Sequence, residues 1–174
     1  MTAAMKIRLA TPADLPQLVA ISEATDSAAH WTRQQWLDIF DSQIPARLAW
    51  IAWSASDDAN EDSTGDAAED AAAHGPAHGV GFLVAQCGSP EWELENMAVL
   101  PAFRRRGVGA ALLSALLGQA RARHAERILL EVRVSNRSAI RLYEQGGFQR
   151  LARRPGYYRN PAEDALIFVH LLWD

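Results

Sequence analysis

The chain has 174 residues, of which 49% are hydrophobic, and it carries a formal net charge of −4. This length suits one domain over residues 1–174, and the apolar content allows a sizeable core. No apolar run approaches the ~20 residues of a membrane span, and the N-terminal MTAAMKIRLATPADL lacks the apolar centre of a signal peptide. We therefore expect a cytoplasmic protein. Cys87 is the single cysteine, which excludes a disulfide framework and a cysteine-based zinc site.

The first hundred residues predict a strand, two helices and three further strands. The first strand covers Lys6–Leu9 and is followed by a helix that Thr11 caps and that has Pro12 at its first position. A second helix begins at Thr32, which forms a capping-box pattern with Gln35, while Trp31 and Trp36 have the spacing of a hydrophobic staple. The stretches RLAWIAW, GVGFLVAQC and EWELENMAVL then read as strands.

An acidic segment separates two of these strands. Residues 54–79 contain seven acidic side chains, no basic ones and almost no large apolar ones. Such a composition buries too little apolar surface to offset the entropy of ordering it. We predict a flexible loop inserted into an otherwise continuous domain. His74 and His78 lie within it, but no helix aligns them, so no metal site is predicted.

The second half of the chain predicts a helix, a strand, a helix and two closing strands. In GVGAALLSALLGQARARH, apolar residues recur at helical spacing. RILLEVRV starts as a continuous apolar run, which is typical of a central strand, and FQRLARR and ALIFVHLLW are the last two strands. The element order indicates a single mixed α/β layer structure. The residues expected on the buried face of the first of these helices are Val108, Leu112, Leu116 and Ala120.

Charge is distributed unevenly along the chain. Residues 1–100 carry 4 basic and 15 acidic side chains, or −11, whereas residues 101–174 carry 13 basic and 6 acidic ones, or +7. A basic half fits either a solvated surface or a site for an anionic ligand. We do not expect direct nucleic-acid binding on this feature alone.

Arginines and glycines cluster where the helix after EWELENMAVL should begin. Helix N-termini attract anions because their first N–H groups lack partners. Glycines let the backbone approach a phosphate, and arginines match its oxygens. The turn has neither the lysine of a P-loop nor the third glycine of a dinucleotide fingerprint, since Leu112 stands in that place. The residues of this arginine–glycine turn are Arg104, Arg105, Arg106, Gly107, Val108, Gly109 and Ala110.

The stretch NMAVLPAFRRRGVGAALL resembles the acetyl-CoA motif of the GCN5-related N-acetyltransferase (GNAT) superfamily. Within it, LLEVRVSNRSAIRLYEQGGF and GYYRNPAEDALIF are similar to the RimI-type ribosomal-protein-alanine N-acetyltransferases. The resemblance implies an α/β GNAT fold, with a mostly antiparallel central sheet, helices on both faces and two strands that splay apart at the acetyl-CoA site. It places Met97, Ala98 and Val99 along the pantetheine arm, the arginine–glycine turn at the pyrophosphate, and Asn136 near the cofactor.

The resemblance also implies catalytic roles for two side chains. Glu131 follows the apolar ILL, so its carboxylate is either paired with an arginine or functional, and burial would raise its pKa and make it a better base. It aligns with the glutamate of the family's LEVR, which favours the base, acting directly or through water. Tyr143 would protonate the departing thiolate, although a helical tyrosine also suits a core. Glu95 and Glu93 are the rival bases, in that order.

The acceptor is the most open part of this interpretation. The RimI-type resemblance implies the N-terminal alanine amine of a small-subunit ribosomal protein. A small-molecule amine such as a polyamine, amino acid or antibiotic is the alternative, and a non-catalytic acyl-CoA-binding regulator is a third reading. We expect a monomer or weak dimer without a metal. The side chains that would shape a peptide site, or else form a polar turn, are Tyr157, Tyr158, Glu163 and Asp164.

Overall fold

The computed structural model describes residues 5–25, 29, 31–41, 46–54 and 78–172. These residues form the predicted order of elements: a strand, two helices, three strands, a helix, a strand, a helix and two strands. The elements are β1 (Met5–Leu9), α1 (Leu15–Glu23), α2 (Arg33–Asp38), β2 (Ala46–Ser54), β3 (His78–Cys87), β4 (Glu91–Val99), α3 (Val108–Ala122), β5 (Arg127–Arg133), α4 (Arg137–Gln145), β6 (Gln149–Arg159) and β7 (Ala162–Leu171).

The described strands form one seven-stranded sheet in the order β1-β2-β3-β4-β5-β7-β6. The pair β4–β5 is parallel, and every other described pair is antiparallel. A parallel neighbour requires a crossover, which α3 provides. The sheet is therefore mixed and mostly antiparallel, as predicted, and β5 lies in its interior.

Helices cover both faces of the sheet, which gives two core layers. In β2, Trp50 and Ala52 belong to the layer under α3 and α4, while Ala49 and Ile51 belong to the layer under α1 and α2. This alternation follows from the two-residue period of a strand. Each of the four α3 residues predicted to face the core is buried. The prediction of helices on both faces is confirmed.

Local sequence signals explain how α2 begins. The Thr32 hydroxyl accepts a hydrogen bond from the Gln35 N–H at 3.3 Å, and the Gln35 side chain accepts one from the Thr32 N–H at 2.8 Å. The Trp31 and Trp36 rings pack with centroids 5.2 Å apart. The predicted capping box and hydrophobic staple both form, and they set the helix against the sheet.

The predicted insertion lies outside the described residues except at its two ends. Ser54 is the last residue of β2, and it pairs with His78 at the start of β3. Trp53 pairs with Gly79 in the same ladder. The predicted boundaries 54–79 are thus too wide, because both strands extend into the segment.

No helix in the described part of the chain is long and apolar enough to cross a membrane.

Candidate active site

The parallel pair β4–β5 separates part-way along its length. Its ladder runs from Glu91↔Arg127 to Leu94↔Leu130, and the next residues are Glu95 on β4 and Glu131 on β5. At the same point the β3–β4 register shifts, so that Glu95 is an extra residue between two paired ones. A β-bulge of this kind bends its strand. The predicted splay is therefore present, and a glutamate stands on each strand directly beyond it.

The separated part of β4 presents backbone groups toward the gap. The Leu100 N–H donates to Val80 O at 2.9 Å, so the groups of Leu100 point toward β3. Successive residues of a strand point their N–H and C=O to opposite sides, so those of Val99 and Met97 point toward the β5 side. By the same alternation, the backbone groups of Ala98 face β3, and its side chain is buried. Two of the three predicted residues thus offer backbone groups to an extended ligand.

The arginine–glycine turn leads directly into α3. Gly107 is the N-cap residue, with φ of +82°, and no described atom lies within 4 Å of a Cβ built on it. The first α-helical bond runs from the Ala111 N–H to Gly107 O at 3.0 Å. The N–H groups of Val108, Gly109 and Ala110 precede that bond and have no acceptor within the helix. Gly107 therefore leaves open space beside a positive helix terminus.

The three arginines of the turn are exposed, but they differ in their contacts. The Arg104 Nε donates to Val99 O at 3.0 Å, which ties the turn to the end of β4. The Arg106 guanidinium lies 5.5 Å from the centroid of the Phe103 ring. Arg105 has a left-handed backbone, with φ of +62°. All three surround the helix start, and Arg104 also has a structural role that the sequence did not indicate.

Gly109 has a packing role that its spacing did not indicate. A Cβ at this position would lie 2.9 Å from Leu142 Cδ2 and 3.3 Å from Met97 Cε. The glycine therefore lets α3 approach α4 and β4, whereas Gly107 has open space around it. Together the gap and the turn fit an extended arm that ends in phosphate groups, as the cofactor implied by the resemblance has.

A pocket of about 270 Å³ opens beside the point where the strands separate. Three carboxylates, two tyrosines and residues next to α2 surround it. Both Glu93 and Glu95 face this pocket, as their spacing of two predicted. It is lined by Ala29, Trp31, Gln35, Arg47, Glu93, Leu94, Glu95, Glu131, Tyr157 and Tyr158.

Two of the pocket's carboxylates are paired with arginines. Glu95 accepts two hydrogen bonds from Arg47, at 2.6 and 2.8 Å, and both side chains are largely buried. Glu131 accepts from Arg154, and its side chain is 19% exposed. Glu131 is thus largely buried at the pocket wall and paired with an arginine, which is one of the two alternatives that the sequence left open, while its catalytic role stays a prediction. Arg47 and Arg154 were not predicted, because no local pattern indicates partners 48 and 23 residues away.

Glu93 has no arginine partner among the described residues that surround it. Its partial removal from water, followed by the negative charges of Glu95, Glu131 and Glu91, raises its pKa. Its side chain is nevertheless exposed at the pocket mouth. The carboxylate therefore holds a proton more readily than an isolated glutamate does.

The predicted general acid lies in the core layer under α3 and α4. Tyr143 is 7% exposed and packs against Phe148 and Phe168, with centroids 5.9 and 6.5 Å away. Burial, with a further contribution from Tyr158, raises the pKa of its phenol. The side chain is thus both a core residue and a protonated phenol.

Asn136 and Cys87 occupy structural positions. The Asn136 side-chain oxygen accepts from the Ala139 N–H at 3.2 Å and caps α4. Cys87 ends β3, and burial raises the pKa of its thiol to about 11. The thiol is therefore protonated at neutral pH and a poor nucleophile.

The tyrosine pair reaches the pocket through a bulge in β6. The β6–β7 register shifts between Arg154 and Tyr158, and the Gly156 N–H in the bulge donates to Asp164 Oδ1 at 2.7 Å. A hydrogen bond to Glu131 raises the pKa of Tyr157 to about 12. The alternative of a polar turn is wrong for these four side chains, because the tyrosines belong to β6 and the acidic pair to β7. Their role in a peptide site stays a prediction.

Comparison with known proteins identifies the family. The profile of the Acetyltransferase (GNAT) family matches residues 25–148, which is more than half of the chain. The chain belongs to the GNAT acetyltransferase family. This GNAT protein has the family's strand split and arginine–glycine turn at the places that the sequence resemblance implied.

Its relatives include enzymes that act on a ribosomal protein. The GNAT chain is 40% identical over 93 residues to the [ribosomal protein bS18]-alanine N-acetyltransferase of Haemophilus ducreyi, and 41% identical over 90 residues to that of Escherichia coli K12. These matches cover 52% and 51% of this chain and 64% and 61% of the relatives, so they span less than two thirds of those proteins. The crystal structure of the E. coli ribosomal-protein-S18-alanine N-acetyltransferase superposes with a TM-score of 0.76 at 25% identity, covering 98% of this chain and 96% of that one.

Proposed function

We propose that this GNAT protein is an acetyl-CoA-dependent N-acetyltransferase that modifies a protein N-terminal amine. The observation that carries the proposal is the position of the glutamate pocket, which opens where β4 and β5 part. Acetyl-CoA supplies an activated acetyl group as a thioester. An acceptor held in this pocket would meet an acyl arm held along the separated edge of β4.

The small net charge around the pocket disfavours an acceptor with several positive charges. Glu93, Glu95 and Glu131 line the pocket. Glu95 is paired with Arg47 and Glu131 with Arg154, which leaves one net negative charge. The α-ammonium of a peptide carries one positive charge, whereas a polyamine carries several. The tyrosines over the pocket offer apolar surface and hydroxyl groups for a peptide backbone.

The names of the relatives support a particular acceptor class. Two of the relatives act, by their names, on the alanine of ribosomal protein bS18. We infer the same acceptor class here, an N-terminal alanine of a small-subunit ribosomal protein. The cytoplasmic location, the monomeric or weakly dimeric state and the absence of direct nucleic-acid binding remain predictions that accompany this proposal.

Each side chain then has a definite task. Glu131 accepts the proton of the acceptor amine, directly or through a water, and Glu95 is the second candidate. The N–H groups of Met97 and Val99 point into the gap, where an N–H donor polarises the carbonyl under attack. Tyr143 donates its phenolic proton to the departing sulfur. The amides at the start of α3 and the arginines of the turn bind the pyrophosphate.

A turnover assay with acetyl-CoA tests the proposal against its alternatives. The acceptor panel contains peptides beginning with alanine, the same peptides with a blocked N-terminus, and small amines that include a polyamine and an aminoglycoside. We expect acetylation of free alanine N-termini and none of the blocked peptides. Preference for a small amine would overturn the peptide assignment, and binding of acetyl-CoA without any turnover would support a regulator.

A further inference from the structure

Arg154 links the edge of the sheet to the candidate base. It lies on β6, two strands away from β5, and its guanidinium donates to Glu131 Oε1. The Arg154 side chain is 55% exposed, whereas that of Glu131 is 19% exposed. The guanidinium also lies 5.6 Å from the centroid of the Tyr157 ring. Arg154 is therefore paired with a carboxylate that itself lines the acceptor pocket.

We propose that Arg154 is a positioning residue that neutralises Glu131 in the resting enzyme and so selects the acceptor amine in its uncharged, nucleophilic form. The inference rests on the proposed function only in requiring a primary amine as the acceptor. It does not depend on whether that amine belongs to a peptide.

The physical reason is competition between two cations for one carboxylate. Without Arg154, an acceptor ammonium would form an ion pair with Glu131, bind tightly and keep its proton. A protonated amine has no lone pair to attack an acyl carbon. With Arg154 in place, the guanidinium balances the charge of Glu131 and repels the ammonium. The pKa of the bound amine is then lower, so the amine loses its proton more easily.

The other groups around Glu131 do not provide this positive charge. Tyr157 from β6 forms a hydrogen bond with Glu131, and Tyr158 lies near both. Glu93 from β4 adds negative charge, and Arg47 is engaged by Glu95. On β5 itself, Arg133 is paired with Glu163. Among the described residues near the pocket, Arg154 is therefore the cation that is paired with Glu131.

Replacement of Arg154 by glutamine gives a test with two readouts. Titration of the acceptor onto Arg154→Gln at pH 7, without acetyl-CoA, should show binding about 3- to 10-fold tighter than wild type, and the difference should vanish once the amine is neutral above pH ~9. In turnover, KM for the acceptor should fall, kcat at pH 7 should fall, and the acidic limb of the kcat profile should move up by about one pH unit.

Two further variants separate positioning from general damage. Arg154→Lys keeps the charge and should restore most of the wild-type acidic limb. Arg150→Gln removes an exposed arginine from the same strand and should leave both readouts unchanged. The proposal is overturned if Arg154→Gln binds the acceptor more weakly, or if its acidic limb coincides with that of wild type.

The comparison uses whichever primary amine the wild type acetylates fastest. Failure of alanine-starting peptides as acceptors would overturn the peptide assignment and leave the Arg154 comparison intact. A normal peptide turnover with an unchanged Arg154→Gln profile would overturn the Arg154 inference alone.

Discussion

At the scale of single residues, Glu95 and Glu131 occupy equivalent places beyond the strand split but have different surroundings. Glu95 makes a two-point contact with Arg47, and both partners are largely shielded from water. Glu131 shares one contact with an arginine that is more than half exposed. The geometry of the first pair indicates a structural role, whereas the second pair leaves its carboxylate available to a ligand.

Removal of the Glu95 charge should therefore lower the stability of the fold more than the rate of acetyl transfer. Glu95→Gln leaves Arg47 with an imperfect partner in a partly buried site, which should lower the free energy of unfolding by about 1–3 kcal/mol. Chemical denaturation measures this, with Glu144→Gln on the exposed side of α4 as the control. A stable Glu95→Gln variant that has lost its turnover would instead make Glu95 the base.

Glu131→Gln should fail in a way that depends on pH. Glutamine keeps the size of the side chain but cannot accept the proton, so turnover at neutral pH should fall by about 10²–10⁴-fold. The loss should shrink as pH rises, because a larger fraction of the amine, with an α-amino pKa near ~8, is then already neutral. A pH–rate profile with saturating acceptor measures this. Near-full activity at neutral pH would show that Glu131 is only a partner for Arg154.

Tyr143→Phe should lose activity at every pH, whereas the defect of Glu131→Gln shrinks as pH rises. Burial raises the pKa of this phenol, so the wild-type side chain stays protonated through the alkaline range and remains a competent acid there. Loss of the hydroxyl should then reduce turnover at every pH tested, while acetyl-CoA affinity stays near the wild-type value. An unchanged profile would mean that water protonates the sulfur and that Tyr143 only fills the core beside Phe148.

At the scale of elements, the N-cap residue of α3 and two positions within the helix are glycines whose surroundings differ. Gly107 has a left-handed backbone and open space, Gly109 touches Leu142 and Met97, and Gly118 has no described atom near its Cβ position. The sequence spacing alone could not distinguish these cases, because the residues that crowd Gly109 come from α4 and β4. Backbone conformation and long-range packing appear only in the fold.

Substitution of these glycines should separate binding from packing. Gly107→Glu places a negative side chain at the predicted pyrophosphate site and should abolish measurable acetyl-CoA binding. Gly109→Ala should lower the melting temperature through its contact with Leu142, while Gly118→Ala should raise stability by up to ~1 kcal/mol because alanine favours a helix. Calorimetric titration and thermal melts measure these effects. Unchanged acetyl-CoA affinity in Gly107→Glu would remove the cofactor assignment.

How well an element can be predicted depends on whether its signal is local. The start of α2 is encoded within a few neighbouring residues, so the pattern of Thr32 and Gln35 is sufficient to predict it. The β6 bulge depends on the bond between Gly156 and Asp164 across a hairpin, and the sequence showed only a tyrosine pair and an acidic pair. The same holds for the candidate site. A sequence motif was sufficient to predict Glu131 and Tyr143, whereas the arginines that pair with the pocket carboxylates lie on strands distant in sequence.

At the scale of the whole molecule, the sheet accounts for how a long segment can be accommodated between β2 and β3. These two strands pair from Ala46↔Cys87 to Ser54↔His78, next to β1 on one side and β4 on the other. The ladder thus reaches both ends of the segment and holds them together. The candidate site is formed by β4, β5, the start of α3 and the β6 bulge.

Deletion of residues 60–73 should consequently leave both folding and turnover close to those of the full chain. Loop closure entropy changes only slowly with length, by about 0.6 kcal/mol for each doubling, so a shorter connection between strand ends that already pair should be neutral or slightly stabilising. The deleted stretch has no large apolar side chain to contribute to either core layer.

Thermal unfolding, acetyl-CoA titration and turnover of the deletion variant test this prediction, with replacement of the same residues by a Gly/Ser linker of equal length as the control. A large fall in melting temperature in both variants would show that the segment packs on the domain. Intact folding with altered acetyl-CoA affinity would show instead that its five acidic residues act on the basic turn through charge, because His78 at the end of the segment packs against Phe103, three residues before Arg106.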